Sequence, residues 1–236
     1  MVVIPVLNEK AAIDGVLDSV RERFGGPIVV VDDGSADGTQ ESLRCRHDVS
    51  VVCHDRNRGY GASLLDGFAA AYRLGAGRIL TMDGDGQHDA VDIEALLDAL
   101  ADSDIVSGSR YLPGSRAVGE PPVERADINR RITAEINRVT GWRLTDAFCG
   151  MKAYRASSLA RLRLSEPGYA MPLELWAQAW RAGLRVLELP VARIYTSSAR
   201  MFGGELDDAG VRQKYYTRVW RDALERDHDL PGEPTP

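Results

Sequence analysis

PIVVVDDGSADGT, residues 27–39, is the stretch that decides the fold: four β-branched residues, Ile28 to Val31, run straight into two carboxylates and a turn-forming segment. A continuous β-branched run reads as a strand buried on both faces, and Gly34 and Gly38 suit a tight turn after it. Working outward, residues 2–5 (VVIP) form a strand. Residues 10–23 form a helix, because Ile13, Val16, Leu17 and Val20 fall on one face. Residues 49–53 are a third strand, residues 60–73 a helix interrupted only by Gly67, and RILTM a buried strand through Met82. Ile93, Leu96, Leu97 and Leu100 mark the next helix, and residues 105–107 another short strand. Strands alternating with helices predict an α/β fold with a mostly parallel central sheet flanked by helices, in a single domain. Ligands of open α/β sheets sit beyond the carboxyl ends of the strands, and here three such ends carry Asn8-Glu9, Asp32-Asp33 and Asp83/Asp85.

The Pro- and Gly-rich residues 112–123 (LPGSRAVGEPPV) mark a mobile loop or a boundary, dividing the chain into residues 1–111 and 112–227, with a disordered tail over 228–236. The second half reads as helices over 127–140 and 171–180, strands over 186–189 and 191–195 broken at Pro190, and a closing helix over 211–224. A net charge of −6 argues against a broad electrostatic grip on nucleic acid, so no nucleic-acid partner is expected. Cys45, Cys53 and Cys149 are too few and too widely spaced for a disulfide framework or a zinc site, and read as reduced thiols of a cytoplasmic protein. No run approaches the ~18 apolar residues of a spanning helix, which leaves peripheral contact with a membrane surface permitted.

The sharpest chemistry is Asp83-Gly84-Asp85-Gly86-Gln87. Residues two apart in an extended segment point to one side, so both carboxylates can converge there. With the Gln87 amide they are hard oxygen donors that suit Mg²⁺ or Mn²⁺, and such an ion could bridge the protein to a diphosphate that bare carboxylates would repel. An ordinary acidic turn is the competing interpretation. In VVVDDGSADGT a carboxylate past the strand can accept from a base N–H or a ribose hydroxyl, while another satisfies the turn; Asp33 is assigned to the ligand and Asp37 to the turn.

VVIPVLNE, VVDDGSADGT, NRGYGASLLDGFAAA, TMDGDGQHD, VSGSRY and TDAFCGMKAYR, in that order, resemble the family 2 glycosyltransferases of GT-A (Rossmann-like) fold, and within them the dolichyl-phosphate mannosyltransferase group. The resemblance spans roughly residues 2–189. It implies an inverting, metal-dependent transfer of a sugar from a nucleotide-diphosphate sugar, of the GDP-mannose or UDP-glucose type, to a polyprenyl phosphate. Residues 1–111 would be the nucleotide-sugar-binding half and 112–227 the acceptor-binding half.

By the same resemblance Pro5, Leu7 and Glu9 border the nucleobase and ribose, with Val31 and Asp33 completing that pocket; the family often has Tyr where Leu7 stands. Asp83, Gly84 and Asp85 match the DxD segment, Gln87 an amide of the metal shell, and Arg110 an arginine near the phosphates. Asp146 falls near the sugar site and Glu174 in an acidic position on a late helix; with Asp85 and Arg110 they are the catalytic candidates. The acceptor phosphate would meet Arg130 and Arg131, ahead of Thr133, and Arg200, which opens an R-x-x-G pattern whose closing Lys is absent. Lys214 is a substitute from the last helix.

A phosphate acceptor needs no general base, whereas a hydroxyl acceptor, the alternative substrate, would need Asp146 or Glu174 within ~3 Å. A sugar-nucleotide pyrophosphorylase, a D-x-D phosphatase and a non-catalytic nucleotide-sugar-binding protein are the readings from other classes. Of the remaining features, the GYGAS glycines read as packing, the four histidines as surface residues by default, with only His88 near the predicted metal, and Trp176 with Trp180 as core. The basic run Arg125, Arg130, Arg131, Arg138 and Arg143 reads as a solvated helix face or an anchor for anionic lipid or acceptor phosphate.

Overall fold

The computed structural model describes residues 1–195 and 202–226; Arg200 and the tail over 228–236 lie outside the described residues. Nine strands and eight helices follow one another among the described residues: β1 (Val2–Val6), α1 (Ile13–Arg23), β2 (Ile28–Asp32), α2 (Thr39–Arg44), β3 (Ser50–Cys53), α3 (Tyr60–Arg73), β4 (Arg78–Thr81), α4 (Ile93–Asp98), β5 (Ile105–Ser109), β6 (Ala117–Val118), α5 (Val123–Thr140), β7 (Lys152–Arg155), α6 (Ala156–Leu159), α7 (Met171–Arg181), β8 (Val186–Pro190), β9 (Arg193–Ile194) and α8 (Ala209–Glu225). Seven strands make one sheet in the order β3-β2-β1-β4-β7-β5-β8, parallel throughout except for β7, which runs antiparallel to both neighbours. The mostly parallel sheet flanked by helices is therefore the fold that the alternating pattern predicts.

Both sheet faces are buried, and the two-residue period of the strands sorts their side chains. Val2, Ile4 and Val6 of β1 and Ile28 and Val30 of β2 join the cluster that packs on α1 and α4. Val3, Val29 and Val31 join the larger cluster on the opposite face, with α3, α5, α7 and α8. Each fully buried Ile or Leu of these layers contributes about 1.5–3 kcal/mol relative to exposure. Gly67, the weak position of α3 by propensity, sits where an added Cβ would run into the Val3 Cγ1 methyl, so its bareness lets α3 lie directly on β1.

Two strands, β6 and β7, were not anticipated from the residues, nor were the short helices α2 and α6. KAYR of β7 carries two cations and no apolar alternation, yet Lys152 is 2% exposed in the sheet interior, donating to the Cys149 carbonyl and lying 5.4 Å from the centre of the Trp176 ring. Within residues 112–123, β6 pairs in parallel with β9, and α5 begins at Val123, four residues ahead of the helix expected from 127.

Candidate active site

The carboxyl ends of β1, β2 and β4 open on a cavity of about 700 Å³, and its lining draws on both halves of the chain. After β1 the backbone turns through Asn8, whose φ of +56° is left-handed, and this loop is bonded to the one after β2. Asn8 N donates to Ser35 Oγ at 2.9 Å, Ala36 N to Asn8 Oδ1 at 2.8 Å, and Glu9 N to Thr39 Oγ1 at 2.9 Å. Asp37 holds the turn, accepting from Thr39 N, Thr39 Oγ1 and Lys10 N. These bonds explain why LNE and DGSADGT both sit at this rim: one polar loop satisfies the other.

Asp33 lines the cavity yet is only 3% exposed. Its Oδ1 accepts from Arg58 N at 2.8 Å and lies 2.6 Å from His54 Nδ1, and its Oδ2 accepts from Gly59 N at 2.8 Å. A carboxylate has about four acceptor positions, so one lone pair of Oδ2 remains. Gly59 (φ +105°) and Gly61 are packing positions, since a Cβ on either would strike the backbone carbonyls of Pro167 or Glu166.

Beyond β4, Asp83, Gly84, Asp85 and Gln87 all line the cavity. Asp83 Oδ1 accepts from the Tyr60 hydroxyl at 3.0 Å and Oδ2 lies 3.3 Å from His88 Nε2. Burial pushes the Asp83 carboxyl up, but His88 and Tyr60, with the charge of Arg110, outweigh it and hold the group below the ordinary carboxylate value. Asp85 Oδ1 accepts from Gln87 N at 2.9 Å, which folds the loop back so that carboxylate and amide share one rim. His88 is 8% exposed, a buried partner of Asp83 rather than the surface histidine expected. Behind this loop stands Gly150, where a Cβ would collide with both Asp83 carboxylate oxygens. Gly150→Ala is therefore expected to displace Asp83 and lower turnover by roughly 10- to 100-fold with little loss of secondary structure. Steady-state rates beside circular dichroism check this, and wild-type turnover would show that Asp83 has room to move.

Arg110 follows β5 and reaches the cavity from below. Its Nε donates to Asp146 Oδ2 at 2.7 Å and its Nη2 to Asp146 Oδ1 at 3.0 Å, with Tyr195 Oη 3.5 Å from Nη1. Two of its five N–H groups are left for a ligand. Asp146 is fully buried and also accepts from Arg110 N, Asn129 Nδ2 and Phe148 N. Burial pushes the Asp146 carboxyl up, and the Arg110 charge and these donors more than reverse it, leaving the group below its ordinary value. With every acceptor position occupied, Asp146 acts through Arg110 and Asn129, and it has no lone pair to offer an incoming hydroxyl.

The other expected residues are dispersed. Pro5, Leu7 and Glu9 line the cavity, but Val31 is wholly buried and packs into the core below it. Glu174 is 1% exposed and accepts from Ser165 N, Ser165 Oγ, Glu166 N and Arg226 Nη1, so it anchors the turn leading to Tyr169 and does not line the cavity. Arg130 pairs with Asp127 at 2.7 Å on the exposed face of α5, and Arg131 Nη1 lies 3.5 Å from Gln213 Oε1. Lys214 likewise does not line the cavity. The cationic side chains that do, besides Arg110, are Arg125, one to two turns before Arg130 on α5, and Arg212 on α8, each with its guanidinium 4.6 Å from the centre of the Phe202 ring. Arg212 is 2% exposed, donates to the Leu206 carbonyl, and leaves Nη2 buried without a partner among the described residues. The basic run over α5 contains Arg125, but linear order does not say which of its arginines faces inward. Aromatic rings of Tyr60, Tyr111, Phe148, Tyr169, Tyr195 and Tyr216 complete this side of the wall.

A sheet whose strand ends present a D-x-D loop, a carboxylate cradle and an arginine over one cavity is the architecture of a GT-A nucleotide-sugar transferase. The family model Glycosyl transferase family 2 matches residues 1–163, and the chain belongs to that family. It is 30% identical to an undecaprenyl-phosphate mannosyltransferase of Micrococcus luteus over 221 residues, covering 89% of this chain and 90% of the relative. It is 32% identical to a polyprenol monophosphomannose synthase of Mycolicibacterium smegmatis over 201 residues, 81% of this chain and 76% of that one. Among solved structures, glucosyl-3-phosphoglycerate synthase from Mycobacterium tuberculosis, crystallised with Mn²⁺, UDP and glucosyl-3-phosphoglycerate, shares the fold at a TM-score of 0.73 and 19% identity, over 97% of this chain and 80% of its own. The protein is thus a family 2 glycosyltransferase. No helix among the described residues is long and apolar enough to cross a membrane.

Proposed function

We propose that the protein transfers a sugar from a nucleotide-diphosphate sugar to a polyprenyl phosphate, with inversion at the anomeric carbon. One observation carries the choice of acceptor: past Gln87, the described residues lining the cavity include Arg110, Arg125 and Arg212 and no carboxylate. A wall of arginines, aromatic rings and an amide (Asn129) suits an anion attached to an apolar chain. An acceptor hydroxyl would need a base there, and neither Asp146 nor Glu174 stands on that wall. A phosphate oxygen is already anionic near neutral pH and needs only to be positioned. The two mannosyltransferase relatives, named for polyprenyl phosphate acceptors, support the same substrate.

On the donor side, Asp83, Asp85 and the Gln87 amide are hard oxygen donors at one rim, and the described residues hold no cage of three or more His, Cys, Asp or Glu side chains. That donor set fits Mg²⁺ or Mn²⁺, ions commonly held by one or two carboxylates with substrate phosphates and water completing the shell. Such an ion would supply neutralisation of the charge that grows on the departing nucleoside diphosphate. Asp33 would accept from the base or ribose through its remaining lone pair. Arg110, oriented by Asp146, would direct its two spare N–H groups at the phosphates, and Arg125 and Arg212 would hold the acceptor phosphate. Because that acceptor resides in a bilayer, the enzyme would meet it at the membrane surface.

Turnover of radiolabelled GDP-mannose and UDP-glucose against a polyprenyl phosphate in detergent tests the proposal, and free-sugar release without lipid product would reject it. In the same assay Arg125→Ala is expected to raise the acceptor KM by about 10- to 100-fold, the worth of hydrogen bonds to a charged group, while donor KM stays within about twofold. An unchanged acceptor KM would remove Arg125 from the site.

A further inference from the structure

His54, at the end of β3, does not line the cavity and is 7% exposed. It nevertheless joins the cavity to the outer face of α3. Its Nδ1 lies 2.6 Å from Asp33 Oδ1 and its Nε2 lies 2.9 Å from Asp66 Oδ2, an oxygen that also accepts from Arg58 Nη1 at 2.6 Å. The imidazole is thus clamped between two carboxylates, one facing the cavity and one at the surface. Its own backbone N–H is tied to the Asp32 carbonyl at 2.9 Å, so the ring cannot shift along the strand. Of the groups holding Asp33 among the described residues, the Arg58 and Gly59 amides come from a loop, and His54 is the only side chain.

We propose that His54 is a positioning residue for the nucleoside end of the donor. Contacting Oδ1 together with the Arg58 amide, it fixes the plane of the Asp33 carboxylate and aims the one remaining Oδ2 lone pair into the cavity. Asp66 in turn fixes the imidazole. The ligand class is a nucleoside bearing an N–H or hydroxyl donor, and the inference rests on the donor reading given above. Asp83 of the metal loop is held by Tyr60 and His88, whereas His54 holds Asp33, so the expected effect falls on the nucleoside.

Paired amide substitutions separate positioning from bulk. His54→Asn places an amide N–H where Nδ1 stands and keeps the link to Asp33, whereas His54→Gln extends its amide toward Asp66 and loses that link. Titration calorimetry with UDP, GDP and, separately, inorganic pyrophosphate with Mn²⁺ reads the outcome. His54→Gln is expected to weaken the nucleotide that wild type binds by about tenfold, with pyrophosphate unchanged within about twofold and His54→Asn within about threefold of wild type. In steady state His54→Gln raises donor KM at nearly constant kcat. Equal affinities in the two variants, or a parallel loss of pyrophosphate binding, would overturn the role of His54 and leave the donor reading standing. Wild type that binds neither nucleotide would overturn both. If His54→Gln does not fold, Asp66→Asn on the outer face of α3 tests the same chain: a weakened nucleotide supports it, and an unaltered one rejects it.

Discussion

Asp85→Asn is expected to lower sugar transfer by roughly 10³-fold, the scale on which loss of a preorganised electrostatic group slows a charge-separating step. The fold should be untouched. Asp85 Oδ1 accepts from Gln87 N, and an asparagine carbonyl in the same place keeps that bond while removing the charge. The residue also lies at the cavity rim and outside both apolar clusters, so the thermal midpoint should move by no more than ~2 °C. Mn²⁺ titration of the variant separates the two readings of this loop. A metal site loses affinity together with rate, whereas an acidic turn loses neither. Undiminished transfer that still requires divalent metal would sink the assignment.

Asp146→Asn should be the most destabilising single change at the site, at about 3–5 kcal/mol, because it leaves the half-buried Arg110 guanidinium without its counter-charge and sets a buried amide N–H against its donors. Replacing both partners by apolar residues of similar volume, as in Asp146→Leu with Arg110→Met, should recover only part of that stability: no charge is then stranded, but Arg110 N, Asn129 Nδ2 and Phe148 N lose their acceptor. Transfer should stay abolished in the double variant, because the cavity has lost the arginine. Chemical denaturation of the two single variants and the double variant measures the coupling directly. Additive losses would mean that the pair is not the unit described here. The wild-type ion pair also fixes a pH dependence. The Asp146 carboxyl is depressed below its ordinary 3.8 in the folded state, so its stabilisation is fully present above that value and is lost as the pH falls through the folded-state value. The unfolding midpoint in urea should therefore be level from neutral pH down to about 5 and drop on the acid side.

How much of this was legible in the chain depends on whether a residue's role is set locally or across the sheet. The β-branched runs of β1 and β2 and the periodic faces of α1 and α4 announced themselves, because burial on both faces demands a continuous apolar code. Asp83, Asp85, Gln87, Asp33 and Glu9 could be placed at one rim because consecutive parallel strands deliver their carboxyl ends to the same edge. The antiparallel β7 left no such trace. Its four residues are stabilised by two neighbours far away in sequence, and Lys152 is tolerated there only because the Cys149 carbonyl and the Trp176 ring meet it.

The sequence by itself determined the layered α/β sheet, the carboxylate rim and the family, since each is written in short segments whose chemistry and order suffice. The tertiary structure decided what those segments could not: that Asp146 is a buried counter-ion, that Glu174 anchors a turn, and that Arg125 and Arg212 are the arginines that join Arg110 in lining the cavity. A helix carrying several arginines presents only some of them inward, and which ones depends on how α5 and α8 pack on the sheet, a property of contacts between distant residues.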